Sequence, residues 1–270
     1  MYLADYHVHS TGSPDGHLTM VEMARQGVER GLDEICFTDH VDTLHWGTTI
    51  PCSDYDWASA QHQYDEAAEQ WGGRIRLKLG AELGEAYLGF DRAAHLLDTA
   101  PPLDFIIASV HMSRDENGWV DLFYIDGDRD DAYYHAVIDA YLEQELKLAQ
   151  WGRFSVLGHL TLPLRYMNEN LGEQMTFDGH YDQCREIFRA LIESGCGIEC
   201  NTNRGNVPLP DAPLLKLYRE AGGEIITIGT DAHTPEFVGM RARETQELLK
   251  SCGLNYVCTF EKKKPVFHKI

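Results

Sequence analysis

His7 and His9 stand two residues apart in "DYHVHS", and Asp231 and His233 stand two apart in "TDAH" near the other end of the chain. Between them, His40 closes "FTDH", Glu82 lies in "GAELGE", His111 ends "ASVH" and His159 ends "LGH". Each lies within or directly after a short apolar run that reads as a strand. On a strand, residues i and i+2 share a face, so each paired motif is expected to project two ionisable groups into one polar centre. Burying so many imidazoles and carboxylates together without partners is costly, and divalent cations remove the difficulty. Neutral imidazole and ionised carboxylate suit Zn, Mn or Fe, and Glu82 is the expected bridge between two ions. Asp15 in "SPDG" has two readings: a turn aspartate bonded to its own backbone, or a further ligand near His9. His17 competes for the ligand role.

The elements that must position these groups are also legible. Strand patterns cover 3–9, 33–40, 75–84, 104–111, 154–160, 196–202 and 224–233, with helical patterns between most of them. Crossovers of that length predict parallel pairing. Thr19 and Glu22 form a capping box for a helix that Gly31 stops, and two further helices are predicted to end near Gly152 and at Gly195. Seven strand and helix units fit a closed barrel or an open doubly wound α/β sheet. In both, chemistry collects beyond the carboxyl ends of the strands. The segment "NYVCTFEKKKPVFHKI" reads as a final strand or arm, and Pro265 argues against a central ladder position. No linker composition divides the chain, so residues 1–270 read as a single domain.

A formal charge of -20 repels phosphate backbones, which argues against nucleic acid as a partner. No apolar run approaches the roughly 18 residues that a spanning helix requires, and the first residues lack a secretory pattern, so no membrane association and a cytoplasmic location are expected. Seven cysteines without CxxC pairs read as reduced thiols. Neither GxGxxG nor a phosphate-loop order of Gly, Lys and Ser/Thr occurs, so nucleotide cofactors are not implied. Arg165, six residues past His159, and Arg204, after "ECNTN", are predicted on loops beyond consecutive strands, where guanidinium forks suit phosphate. Arg114, three past His111, is a secondary phosphate candidate. His45 and Trp46, after "TDH", are candidates to wall a ring-bearing substrate.

The HxH, "TDH", "ELGE", "SVH", "GH" and "TDAH" motifs resemble those of the polymerase and histidinol phosphatase (PHP) superfamily over nearly the entire chain, and most closely suggest its histidinol-phosphatase branch. The resemblance implies a distorted seven-stranded (β/α) TIM-like barrel, with a cluster of up to three divalent ions at the carboxyl ends of the strands. It implies one ion on His7, His9, Glu82 and Asp231, a second on Glu82, His111 and His159, and a third on Asp15, His40 and His233. The family ordering favours Asp15 over His17. The implied activity is hydrolysis of L-histidinol phosphate to L-histidinol and phosphate by a hydroxide bridging two ions, with Asp231 or His233 a candidate proton source for the leaving alkoxide. An acidic rim suits such a small phosphorylated amino alcohol. The branch has "NTS", then Gly and a basic residue, where this chain reads Asn201, Thr202, Asn203, Arg204 and Gly205. The competing readings are a phosphatase or phosphodiesterase for another small ester, an amidohydrolase, and a non-catalytic metal-binding module. No oligomeric state follows from the sequence.

Overall fold

The computed structural model describes residues 1–45 and 48–270, so the expectation for Trp46 lies outside the described residues. In chain order the elements are β1 (Ala4–Val8), α1 (Met20–Arg30), β2 (Glu34–Phe37), β3 (His40–Asp42), α2 (Trp57–Trp71), β4 (Arg76–Gly84), α3 (Phe90–Asp98) and β5 (Phe105–Ser109). They continue with β6 (Met112–Asp115), β7 (Gly118–Asp121), α4 (Asp131–Trp151), β8 (Val156–Leu157), α5 (Leu162–Leu164) and α6 (Tyr181–Ser194). The last are β9 (Gly197–Asn201), α7 (Ala212–Glu220), β10 (Ile226–Gly229), α8 (Ala242–Ser251), β11 (Tyr256–Glu261) and β12 (Lys264–Lys269). Thr19 and Glu22 close the expected capping box on α1. Gly152 and Gly195 end α4 and α6 in the left-handed conformation, which glycine adopts without a Cβ penalty.

Seven parallel strands run in the order β1-β2-β4-β5-β8-β9-β10, and β3 adds to the end of β4. The sheet curls into a nearly closed barrel with helices outside it. Closure between β1 and the segment after β10 rests on a parallel bridge, Val8 to Ala232, with His9 N–H on Ala232 O at 2.9 Å. Deeper in, the buried Asp5 carboxylate substitutes for a ladder. It accepts from Thr230 N–H at 3.0 Å, Thr230 Oγ1–H at 2.6 Å and Gly239 N–H at 2.8 Å.

Inside the barrel, Tyr6, Cys36, Phe105, Ile107 and Val156 form an apolar floor with Cys258 and Phe260. The latter two come from the β11–β12 hairpin, a separate antiparallel ribbon in which Pro265 lies opposite Phe260 on the outer strand. The terminal arm therefore plugs the end of the barrel away from the histidines. The β1–β2 register slips by one residue between Asp5 and Val8. This bulge resets the alternation, so Tyr6 joins the floor while its neighbour His7 also faces inward. One expectation needs correction here. β10 stops at Gly229, and Asp231 adopts φ 58°, so Asp231 and His233 are brought together by a turn and not by strand alternation. Aspartate tolerates that conformation better than most residues.

Asp5→Ala removes the acceptor that four buried or half-buried donors share, the His7 N–H at 3.3 Å among them. We expect a loss of about 2–3 kcal/mol, on the scale of hydrogen bonds to charged groups, read as a lower urea midpoint.

Candidate metal centre

Glu82 is fully buried near the end of β4, opposite His40 in the β3–β4 register and bonded to Ser109 of β5. Its Oε2 lies 3.2 Å from His7 Nε2, 3.4 Å from His9 Nε2 and 3.1 Å from His40 Nδ1. Its Oε1 lies 3.0 Å from His159 Nε2 and 3.3 Å from His111 Nε2, and accepts from Ser109 Oγ–H at 2.7 Å. Asp231 Oδ1 is 3.3 Å from His9 Nε2 and 3.6 Å from His7 Nε2. At the outer side, Asp15 Oδ2 is 3.1 Å from His233 Nε2, and Asp15 Oδ1 is 3.8 Å from His40 Nε2. Thus side chains from the ends of five strands and two loops meet at one mouth.

The donor set fits divalent ions. His7 Nε2, His9 Nε2, His40 Nδ1, Glu82 Oε2 and His233 Nε2 are all buried without a hydrogen-bond partner, and they converge. Orphaned buried atoms are rare because each costs the full desolvation of a polar group. Three overlapping triads have ligand atoms within 4.8 Å of one another: His7, His9 and Glu82; His9, His40 and His233; His40, Glu82 and His111. The electrostatics agree. Burial would raise the Glu82 pKa, yet His7, His40 and His111 hold it well below the usual carboxylate range. Burial opposes charge on His7 and His111, but Glu199, Glu82 and Asp231 raise the first well above its ordinary value, and Glu85 and Glu82 raise the second. Burial, with His233 and His40 beside it, instead holds His9 well below the ordinary imidazole value, and burial also lowers His159.

Most other expected site residues line the same cavity, of about 280 Å3, while two of the candidates lie elsewhere. Arg165 is buried where a loop cation was predicted. The Pro163-containing turn α5 and its wider continuation, Arg165–Asn170, fold back over the barrel mouth. Its Nη1 donates to Asp231 Oδ2 at 2.6 Å, its Nε to Asn203 Oδ1 at 2.8 Å and its Nη2 to Asn201 Oδ1 at 3.2 Å. Arg204 is exposed at the rim, and His45 contributes to the wall. Arg114 does not join them: its guanidinium stacks 4.2 Å over the Trp119 ring, beside a separate surface cavity. Stacking on the partner strand of the β6–β7 hairpin turns it away from His111. His17 is exposed, whereas Asp15 reaches His233.

Several residues of the site escaped the sequence reading. Asp42 and Glu85 form a fourth group with His111, and Glu85 accepts from the His111 N–H at 2.6 Å. Burial pushes the Asp42 carboxyl up to about 6, with Glu85 and Glu82 adding to the rise against His40 and His111. The available signal was spacing: Asp42 is two residues past His40 on a strand, and Glu85 closes "ELGE". Glu199, alternating with Asn201 in "ECN", carried the same signal.

A parallel barrel with a buried histidine and carboxylate cluster at the strand ends defines a metal-dependent hydrolase scaffold. The chain matches the PHP domain over residues 5–203 and belongs to that family. It is 27% identical over 267 residues to the histidinol-phosphatase of Lactococcus lactis subsp. lactis (strain IL1403), covering 95% of this chain and 93% of that protein. The crystal structure of histidinol phosphate phosphatase from Lactococcus lactis subsp. lactis Il1403, complexed with Zn, L-histidinol and phosphate, superposes with a TM-score of 0.82 at 25% identity. It covers 98% of each chain.

Two outcomes test the centre. Glu82→Ala removes the carboxylate that five imidazoles share, and we expect the divalent metal retained after dialysis to fall by about half or more in elemental analysis. The second concerns protons. The raised His7 and His111 contribute stability to the metal-free fold that is fully present below pH 6.5 and is lost as pH rises through their folded values. Metal uptake requires those imidazoles neutral, so its pH dependence is opposite and loading at pH 7 releases protons. Calorimetry in two buffers of different ionisation enthalpy measures that release, and zero exchange contradicts it.

Proposed function

We propose that the protein hydrolyses L-histidinol phosphate to L-histidinol and inorganic phosphate at a cluster of three divalent ions. His7, His9, Glu82 and Asp231 hold one ion, Glu82, His111 and His159 the second, and Asp15, His40 and His233 the third. The observation that carries the reading is the convergence of five imidazoles on Glu82 with the Arg165 guanidinium in the same cavity. Bound divalent ions supply a nucleophile at neutral pH and positive charge for the phosphoryl oxygens.

The chain's own residues bind and orient. Arg165 has five N–H donors, and its three bonds to Asp231, Asn203 and Asn201 leave two for phosphate oxygens. Those three acceptors also fix the guanidinium plane, so little is lost in ordering it when the ester arrives. Arg204 offers a second fork from the exposed rim. His233 donates from Nδ1 to the Asp231 backbone oxygen at 3.0 Å, which turns Nε2 toward Asp15 and the cavity. Asp231 or His233 is the proposed carrier of the proton that reaches the leaving alkoxide. Away from the arginines the lining changes character: Asp42, Glu85 and Asp121 stand with Phe123, Tyr124 and Tyr166. Carboxylates and aromatic faces suit an ammonium and an imidazole ring, the cationic end of an amino alcohol. The Lactococcus protein's Zn, L-histidinol and phosphate match these two halves.

Zn- or Mn-loaded protein assayed against histidinol phosphate and a panel of phosphate monoesters and diesters tests the assignment. A clear preference for histidinol phosphate is expected, and comparable rates across unrelated esters overturn the substrate while leaving the phosphatase. In Arg204→Ala we expect unchanged metal content and a KM raised about tenfold, equivalent to about 1.4 kcal/mol. Unchanged kinetics remove Arg204 from phosphate binding.

A further inference from the structure

Each imidazole of the HxH pair has a partner on the side away from Glu82. His9 Nδ1 lies 2.9 Å from Ser13 Oγ, whose own proton goes to Asp39 Oδ1 at 2.9 Å. His7 Nδ1 lies 2.7 Å from Oε1 of Glu199, a fully buried carboxylate in the middle of β9. The other oxygen of Glu199 accepts from the His159 backbone N–H at 2.8 Å and from Asn201 Nδ2–H at 3.2 Å. Both oxygens are therefore spent on donors, and neither is free to ligate. The contact is built into the barrel: a Cβ on Gly229 of the neighbouring β10 would lie 2.1 Å from Glu199 Oε1 and 2.5 Å from His7 Cβ.

An ionised carboxylate only accepts, so the His7 ring must present a proton at Nδ1, and in the neutral ring that metal binding requires the Nε2 lone pair is the one on the Glu82 side. We propose that Glu199 is a positioning residue for the metal centre, an inference that rests on the metal-binding reading above. It sets the His7 tautomer and ring plane so that Nε2 is the ligating atom. The same side chain anchors the backbone of His159, and Asn201 passes the constraint to Arg165 through its Oδ1. One carboxylate thus ties a ligand of the first ion, a ligand of the second and the phosphate-binding arginine into one rigid unit.

Glu199→Gln tests this because an amide cannot satisfy both sides. Two N–H donors face the Oε2 position, so the amide oxygen stays there and its NH2 turns toward His7. That forces His7 Nδ1 to accept and puts the ring proton on Nε2, where the ion belongs. We expect at least a tenfold weaker affinity for one Zn ion in chelator competition, within the range usual for such partners. 15N spectra of histidine-labelled, metal-free protein, recorded at a pH high enough for the His7 ring to be neutral, should show it in the Nε2–H form, a readout that a merely structural role would not move. Glu199→Asp keeps an acceptor-only group and should restore the Nδ1–H form. Gly229→Ala repeats the test without replacing Glu199 or any ligand: its methyl crowds both the Glu199 carboxylate and His7 Cβ and so breaks their contact from either side, and the same loss of affinity is expected. Wild-type Zn affinity in both Glu199→Gln and Gly229→Ala, with an unchanged His7 tautomer, overturns the proposal. A wild-type protein that takes up no divalent ion overturns the metal-centre reading itself, so the two failures are distinguishable.

Discussion

Everything at the mouth of this barrel is organised around one buried carboxylate with five imidazoles against it. Glu82 is removed from solvent, and ionising it there costs far more than the same group at a surface. Its environment compensates with His7, His9, His40, His111 and His159 at 3.0–3.4 Å. Imidazoles at that density repel one another if all are protonated, and leave orphaned nitrogens if all are neutral. Divalent ions resolve both conditions, since each satisfies several neutral nitrogens while matching the carboxylate charge.

The rest of the fold can be understood as what this cluster requires. A parallel barrel brings strand ends that are far apart in sequence to one face, which no local motif could do. The β1 bulge lets the apolar floor and the polar centre occupy consecutive residues, Tyr6 and His7. Asp5 holds the seam between the first and last strands where a regular ladder is missing, and Ala232 bridges to Val8 just above it. Asp231 follows immediately, and its left-handed backbone swings the carboxylate toward His9. The seam of the barrel is therefore also where the two ends of the chain complete the centre.

Much of this was legible in the amino-acid sequence because an ionisable residue at a strand end leaves a local trace: it closes an apolar run. His7, His9, Glu82, His111 and His159 all left it. The barrel's seven strands were readable for the same reason, since hydrophobic runs and helix stops are local signals. What was not legible depends on pairing between strands or on backbone that leaves the strand. Arg165 reads as a loop cation until a helical turn buries it against Asp231. Arg114 reads as a neighbour of His111 until its hairpin partner Trp119 captures it. Glu199 leaves a local trace in its alternation with Asn201, but its contact with His7 depends on Gly229, a position 30 residues away that withholds a side chain.

The overall charge of -20 repels a phosphate ester as a whole, but the distances decide otherwise. At physiological ionic strength exposed charges are screened beyond about 8 Å, whereas buried ones keep their full local influence. An approaching ester therefore responds mainly to the mouth, where Arg165 and the histidine cluster face Asp42, Glu85 and Asp121 across one cavity. Such a mouth is electrically divided, cationic on one side when loaded and anionic on the other. A simple phosphate dianion satisfies only the first side and leaves the carboxylates unpaired. A phosphorylated amino alcohol carries both charges on one small frame, so each half of the cavity gains a partner and neither is desolvated without compensation. Discrimination then comes as much from what the acidic wall denies to other esters as from what it offers the right one.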